Sequence, residues 1–206
     1  MPSTTRVLEQ HYGTLRAIFM AYAEGPSRTE HKSTAVGWSA LDEATLMSTI
    51  EYEDFLRDLD LIDEEFSARE ARFAFVWSRM RVIDEESHRG RTKLCSLCFE
   101  DFLEVLIRIV TMKAMPTDQD LSAEGVADAG LFFLKLRDDG RLSQWIANHP
   151  QRWHQRLRQP IGLALHQLIL LIIRVVEREI AVPESRLSQH DARSFKKLKN
   201  SVPSAR

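Results

Sequence analysis

Ile50-Glu51-Tyr52-Glu53-Asp54-Phe55-Leu56 and Leu97-Cys98-Phe99-Glu100-Asp101-Phe102-Leu103 are one heptapeptide in chemical type, written twice at a separation of 47 residues. Both copies are apolar at the first, sixth and seventh positions and acidic at the fourth and fifth or their neighbours, a match too long for chance. Around the first copy, Ser48 and Glu51 have the spacing of a capping box, and Tyr52, Phe55, Leu56 and Leu59 make the apolar stripe of a short helix. Around the second, Phe99, Phe102, Leu103, Leu106 and Val110 make a longer stripe that closes before Met115 and Pro116. Each copy follows an aromatic helix. Leu8, Tyr12, Leu15, Phe19 and Tyr22 share one face of a helix over about residues 5–23, stopped by Gly25 and Pro26. Ser67 with Glu70 opens another, running through Met80, whose Phe73 to Trp77 stretch is apolar nearly all round and should be central. Residues 27–46, with Trp38 and Leu41, read as a long connection, and residues 84–93 as a polar one.

Working outward, residues 116–182 continue the helical pattern. Val126, Phe133, Leu134, Leu142, Trp145 and Ile146 are interrupted by an Asp138-Asp139-Gly140 turn. Pro150 and Pro160 bracket a short segment containing Trp153, and Pro160 opens a strongly apolar helix to Ile180. Gly162, His166, Gln167 and Arg174 break that helix short of the ~20 apolar residues a membrane span needs, so it is a core or interface helix. Residues 183–206 carry six basic side chains against two acidic ones and are expected to be a flexible basic tail. No strand-rich region appears. The fold class is all-α, divided as 1–115, 116–182 and 183–206. With 206 residues the chain can bury a sizeable core without disulfides, and 44% apolar against 28% charged residues excludes disordered and collagenous classes. A formal charge of −2 leaves no global field for a phosphate backbone, so nucleic acid is disfavoured as a partner.

Helix, loop, short extended step and second helix, written twice, is the outline of a pair of EF-hands joined by a small β-bridge. Ile50 and Leu97 are expected to face each other in that bridge. Counting on from them places Asp54 and Asp101 at the closing acid of each calcium loop, and counting back places Glu43 and Gly90 at its start. No Asp-x-Asp-x-Asp-Gly run precedes either bridge, and Arg89, Arg91 and Lys93 bring positive charge into the second loop, so the pair is expected to be calcium-free. The order Phe19-x-x-Tyr22-Ala23-x-Gly25, Met47, Phe55-Leu56-Arg57-Asp58, Leu61-Ile62, Phe75-Val76-Trp77-Ser78-Arg79-Met80 and Leu97-x-Phe99-x-x-Phe102-Leu103-x-x-Leu106 resembles the tubulin polymerization-promoting protein core and related flagellar and cytoskeletal modules of protists. The resemblance covers about residues 8–114. It implies a degenerate EF-hand domain with protein partners, tubulin or axonemal proteins among them, at the cytoskeleton, a cilium or a flagellum.

No catalytic constellation emerges. Cys95 and Cys98 are the only cysteines and have no second pair to complete a zinc site. Their C-x-x-C spacing lacks the context of a redox motif and fits a reducing, cytoplasmic compartment, with the two thiols bracketing the bridge. None of the seven His residues stands with a Ser or Cys in a nucleophile context, and Gly90-Arg91-Thr92-Lys93 has the letters of a phosphate loop without its spacing. No metal, no cofactor and no membrane are expected. The reading is a non-catalytic scaffold or adaptor whose aromatic cleft, lined or supported by Phe19, Phe55, Phe75 and Phe102, receives a partner helix or loop, with Arg193, Lys196, Lys197 and Lys199 of the tail as a second contact. Residues 51–65 hold eight acids against Arg57 alone, enough to dock a basic partner. A calcium-regulated sensor and an enzyme with no recognisable motif are the alternatives.

Overall fold

Capping boxes and apolar stripes become helices almost wherever they are written. A computed structural model describes residues 3–23, 46–79, 85–180 and 187–201. In chain order the described elements are α1 (Thr4–Ala23), β1 (Met47–Ser48), α2 (Thr49–Asp58), α3 (Ala68–Ser78), α4 (His88–Leu94), β2 (Ser96–Leu97), α5 (Phe99–Met112), α6 (Asp118–Glu124), α7 (Ala129–Asp138), α8 (Leu142–Asn148), α9 (Ile161–Ile180) and α10 (Gln189–Ser201). The architecture is all-α with one short antiparallel β-bridge. The expected connection with Gly25, Pro26, Trp38, Leu41 and Glu43, together with Met80, Asp84 and Arg206, lies outside the described residues.

The bridge pairs Met47 with Leu97 and Ser48 with Ser96, which corrects the expected pairing of Ile50 with Leu97. Ile50 is 73% exposed in the first turn of α2. Immediately after the bridge, the two exiting helices begin alike. Ser48 accepts from the Glu51 amide while Glu51 accepts from the Ser48 amide at 2.7 Å. Cys98 and Asp101 repeat the arrangement, with a thiol in place of the hydroxyl. Counterparts are therefore 50 residues apart, and Glu51, not Asp54, corresponds to Asp101. Asp54 instead pairs with Arg57 at 2.7 Å.

Rings from both repeats meet behind the bridge. Phe19 lies 5.5 Å from Phe102, which lies 5.3 Å from Phe55, with Tyr22, Tyr52, Phe75 and Phe99 around them. α3 packs along α5, while α9 runs through the other half against α7, α1, α5 and α10. The buried apolar side chains form one connected cluster from Val7 to Phe195 that crosses both expected boundaries, 115/116 and 182/183. Gln167 and Arg174 of α9 face the start of α7: the Ala129 amide donates to Gln167 Oε1, and Arg174 Nε donates to the buried Asp128. A Cβ on Gly130 would overlap the Arg174 side chain, so glycine is what allows α7 this close to α9.

Two expectations change. Residues 189–201 form α10, bound to α1 and α9 through buried Leu187, Ala192 and Phe195. An apolar residue every three or four positions gives even this basic stretch one face to bury. The helix expected to be central, α3, buries only Ala71, Ala74, Phe75 and Ser78. Phe73, Val76 and Trp77 are 39%, 45% and 44% exposed, because α3 packs mainly on one neighbour, α5.

Lys113 at the end of α5 is only 6% exposed and forms an ion pair with Asp63 in the turn before α3. Asp63 also accepts from the Glu65 and Phe66 amides at 3.0 and 2.7 Å, which fixes the turn before α3. Asp63→Ala should cost about 3–5 kcal/mol in denaturant titration because it strands a buried ammonium. Asp54→Ala, which removes a solvent-exposed partner of Arg57, should change stability by less than about 1 kcal/mol.

Candidate functional site

The four phenylalanines expected to line a cleft are core residues. Phe19, Phe55 and Phe102 are fully buried and Phe75 nearly so; each ring's apolar area is already withdrawn from water against the others, so among the described residues the repeats enclose their aromatic cluster. The basic residues of α10 are largely engaged too. Lys196 donates to the Ala21 and Tyr22 carbonyls at 3.2 and 3.1 Å, capping the negative end of α1, and lies 5.1 Å over the Tyr22 ring. Lys199 pairs with Glu179 at 3.1 Å. Lys197 and Arg193 are solvent-exposed, and Arg193 is engaged as well.

The aromatic surface that does face solvent lies elsewhere. Arg69, Phe73 and Trp77 recur every four residues and so share one face of α3. The guanidinium lies 5.5 Å over Phe73, and Phe73 stacks on Trp77 at 5.3 Å with the planes 14° apart. Trp153 continues the row, edge-on to Trp77 at 5.9 Å and 65% exposed. These rings wall a groove of about 760 Å3 whose lining includes Glu64, Glu65, Glu70, Arg152 and His154, with Met112 at its buried end.

Both walls are held in place. Trp153 sits on a turn whose Gln155 amide donates to the Arg152 carbonyl at 2.8 Å, and the buried Gln151 amide donates to the carbonyls of Arg152 and Gln155. Gln159 and Arg158 anchor the same segment to Pro116 and Asp120. On the opposite wall the Asp63 turn presents Glu64 and Glu65, while Glu70 accepts from Ser67, which holds its carboxyl below the usual range.

The acidic run of residues 51–65 divides sharply. Glu51 closes a cap, Glu53 pairs with Arg72, Asp54 with Arg57, Asp60 with Arg137 and Asp63 with Lys113, and Asp58 accepts from the Tyr22 hydroxyl at 2.9 Å. Among the described residues only the Glu64 and Glu65 side chains of this run make no ion pair or hydrogen bond, and both line the groove. Sequence reading missed this site. Its signal was an α3 apolar on two faces but packed mainly on α5, and a lone tryptophan in the polar stretch between Pro150 and Pro160.

No protein-family model, curated protein or solved structure matches this chain. The site must therefore be judged on its own chemistry. Among the described residues no three His, Cys, Asp or Glu side chains cluster to hold a metal ion, and no helix is long and apolar enough to cross a membrane.

Two reactive groups lie outside the groove. Ser96 and Leu97, the residues between Cys95 and Cys98, are β2 itself, so the two thiols bracket an extended strand. Burial, with Asp101 and Glu100 nearby, pushes the Cys98 thiol up to about 12, whereas Cys95 is exposed. His11 Nε2 and His166 Nδ1 meet at 3.2 Å between α1 and α9, so one ring donates and the other must be neutral to accept. Burial lowers both pKa values, His11 also through the neighbouring His166. A groove bordered by Glu9, Arg16, Arg174 and Glu177 opens beside them.

Iodoacetamide should label Cys95 of the native protein and reach Cys98 only on unfolding, a difference that peptide mass spectrometry reads directly. The histidine pair should make stability depend on pH. The unfolded chain takes up protons near pH 6.5 while the folded pair resists them, so this contribution is complete above pH 6.5 and is lost as pH falls below it. Urea midpoints between about pH 6.5 and 5.5 should drop for the parent and stay flatter for His11→Gln/His166→Gln.

Proposed function

We propose that this chain is a non-catalytic adaptor in which two EF-hand-like units, paired without calcium, carry an aromatic groove for a protein partner. The observation that carries this reading is the row Phe73, Trp77 and Trp153, three large rings half-exposed side by side on well-anchored elements. Binding surfaces of this kind rest on rigid aromatic anchors that lose little conformational freedom on docking. The calcium-free reading is supported by Glu51 and Asp101, whose carboxylates close the caps of their own helices and would have to leave them to coordinate an ion. A cytoskeletal partner, tubulin or an axonemal protein, is supported by the sequence resemblance alone.

Co-sedimentation with polymerised tubulin and with axonemal extract tests the partner class. The full chain should pellet with one of them, and Trp153→Ala should reduce pelleting about tenfold while leaving the circular dichroism spectrum unchanged. Pelleting with neither would remove the cytoskeletal assignment. Calorimetric titration with calcium should give no binding heat; heat that Glu51→Gln and Asp101→Asn abolish would favour the sensor reading instead.

A further inference from the structure

We propose that the Phe73–Trp77–Trp153 groove recognises a lysine- or arginine-bearing protein segment, seating one cationic side chain against the ring row beside Glu64 and Glu65. This rests on the docking reading above and names the chemistry of its occupant.

Three observations converge. First, the row already holds one cation of its own: Arg69 lies over Phe73 at one end, while at the other Trp153 is 65% exposed. Ring faces attract cations through their quadrupole, tryptophan most strongly. Second, the two carboxylates of residues 51–65 that are without partners among the described residues both border these rings. An ammonium or guanidinium arriving over Trp77 or Trp153 would find an anion within the same groove, whereas an acidic or purely apolar segment would leave Glu64 and Glu65 unpaired beside a desolvated surface. Third, the site is preorganised. The Asp63 turn sets the acids, and the Gln151 and Gln155 hydrogen bonds set the Trp153 turn, so little ordering remains to be done on binding. The groove's own Arg152 and Arg69 restrict which segments fit: an isolated cation flanked by small or acidic residues suits it better than a dense basic block.

Fluorescence polarisation with three labelled peptides on the full chain tests this: one with two lysines spaced by glycines and serines, its glutamate counterpart and its uncharged serine counterpart. The lysine peptide should bind and the other two should not. Trp153→Ala and the double variant Glu64→Gln/Glu65→Gln should each raise its Kd about tenfold, while Asp118→Asn/Asp138→Asn, which removes two exposed acids outside the groove lining, should leave it unchanged. No binding of the lysine peptide, equal binding of the serine peptide, or equal weakening by the distant acid pair would overturn the proposal. The two readings separate cleanly. Trp153-dependent pelleting with tubulin or axonemal proteins, alongside indifference to the lysine peptide, sinks the cation preference and keeps the docking groove. Groove-dependent lysine binding with pelleting that ignores Trp153→Ala keeps the cation site and sinks its role in docking.

Discussion

Met47 and Leu97 facing each other across two strands of two residues each is the constraint from which the amino-terminal half follows. A pairing this short has few hydrogen bonds and cannot be stable alone. It works because both strands lead directly into helices whose first turns are closed by reciprocal caps, Ser48 with Glu51 and Cys98 with Asp101. Those caps set the direction in which α2 and α5 leave the bridge, and that direction brings Phe55 and Phe102 to within 5.3 Å of each other under Phe19 of α1. The bridge supplies register and the rings supply most of the free energy, since each buried phenylalanine withdraws ~150–250 Å2 from water. The same geometry fills the facing sides of the repeats with these rings among the described residues.

The carboxy-terminal helices use a different device. α9 is apolar on most of its circumference, yet Gln167 and Arg174 interrupt it at the points where it meets the start of α7. A helix start leaves amide donors without partners, and burying them bare would be costly. Gln167 accepts from one of them, Asp128 from another, and Arg174 neutralises Asp128 in turn. Polar residues inside an apolar helix thus specify where a neighbour docks. Lys196 performs the complementary task at the end of α1, where unpaired carbonyls need a cation. That contact, with Phe195 buried beneath it, turns a stretch expected to be solvated into part of the core.

The two helix-strand-helix repeats and the all-α class were legible in the sequence, but the register was not. Aligning the heptapeptides sets Phe55 against Phe102, an offset of 47, whereas the bridge sets Tyr52 against Phe102, an offset of 50. Three residues is close to one helical turn, so both alignments place apolar side chains on the same helix face, and periodicity cannot separate them. Only the capping pattern distinguishes them, because an N-cap must precede its acid by three residues in both copies; reading Cys98 as a cap equivalent to Ser48 would have given the register. Thiols are uncommon caps, which hid the match. The groove escaped for a related reason: an apolar helix reads as central when its neighbours are unknown, and only the packing of α3 on α5 leaves Phe73 and Trp77 outside.

Charge in this protein is segregated by function more than by sequence. Residues 51–65 look like a uniform acidic band, but the fold engages six of the eight acids in caps, ion pairs and a tyrosine hydrogen bond. Asp63 is pivotal to this sorting. One oxygen neutralises Lys113 and the other accepts from the amides of Glu65 and Phe66. Pulling Asp63 inward draws Phe66 into the core and leaves Glu64 and Glu65 outward at the lip of the aromatic groove. A single buried ion pair therefore ties the end of α5 to the turn before α3 and also decides which acids reach the surface. The groove's charge is a by-product of the same turn that anchors α3 to the end of α5, so the site's electrostatics and the fold's stability are tied to one residue.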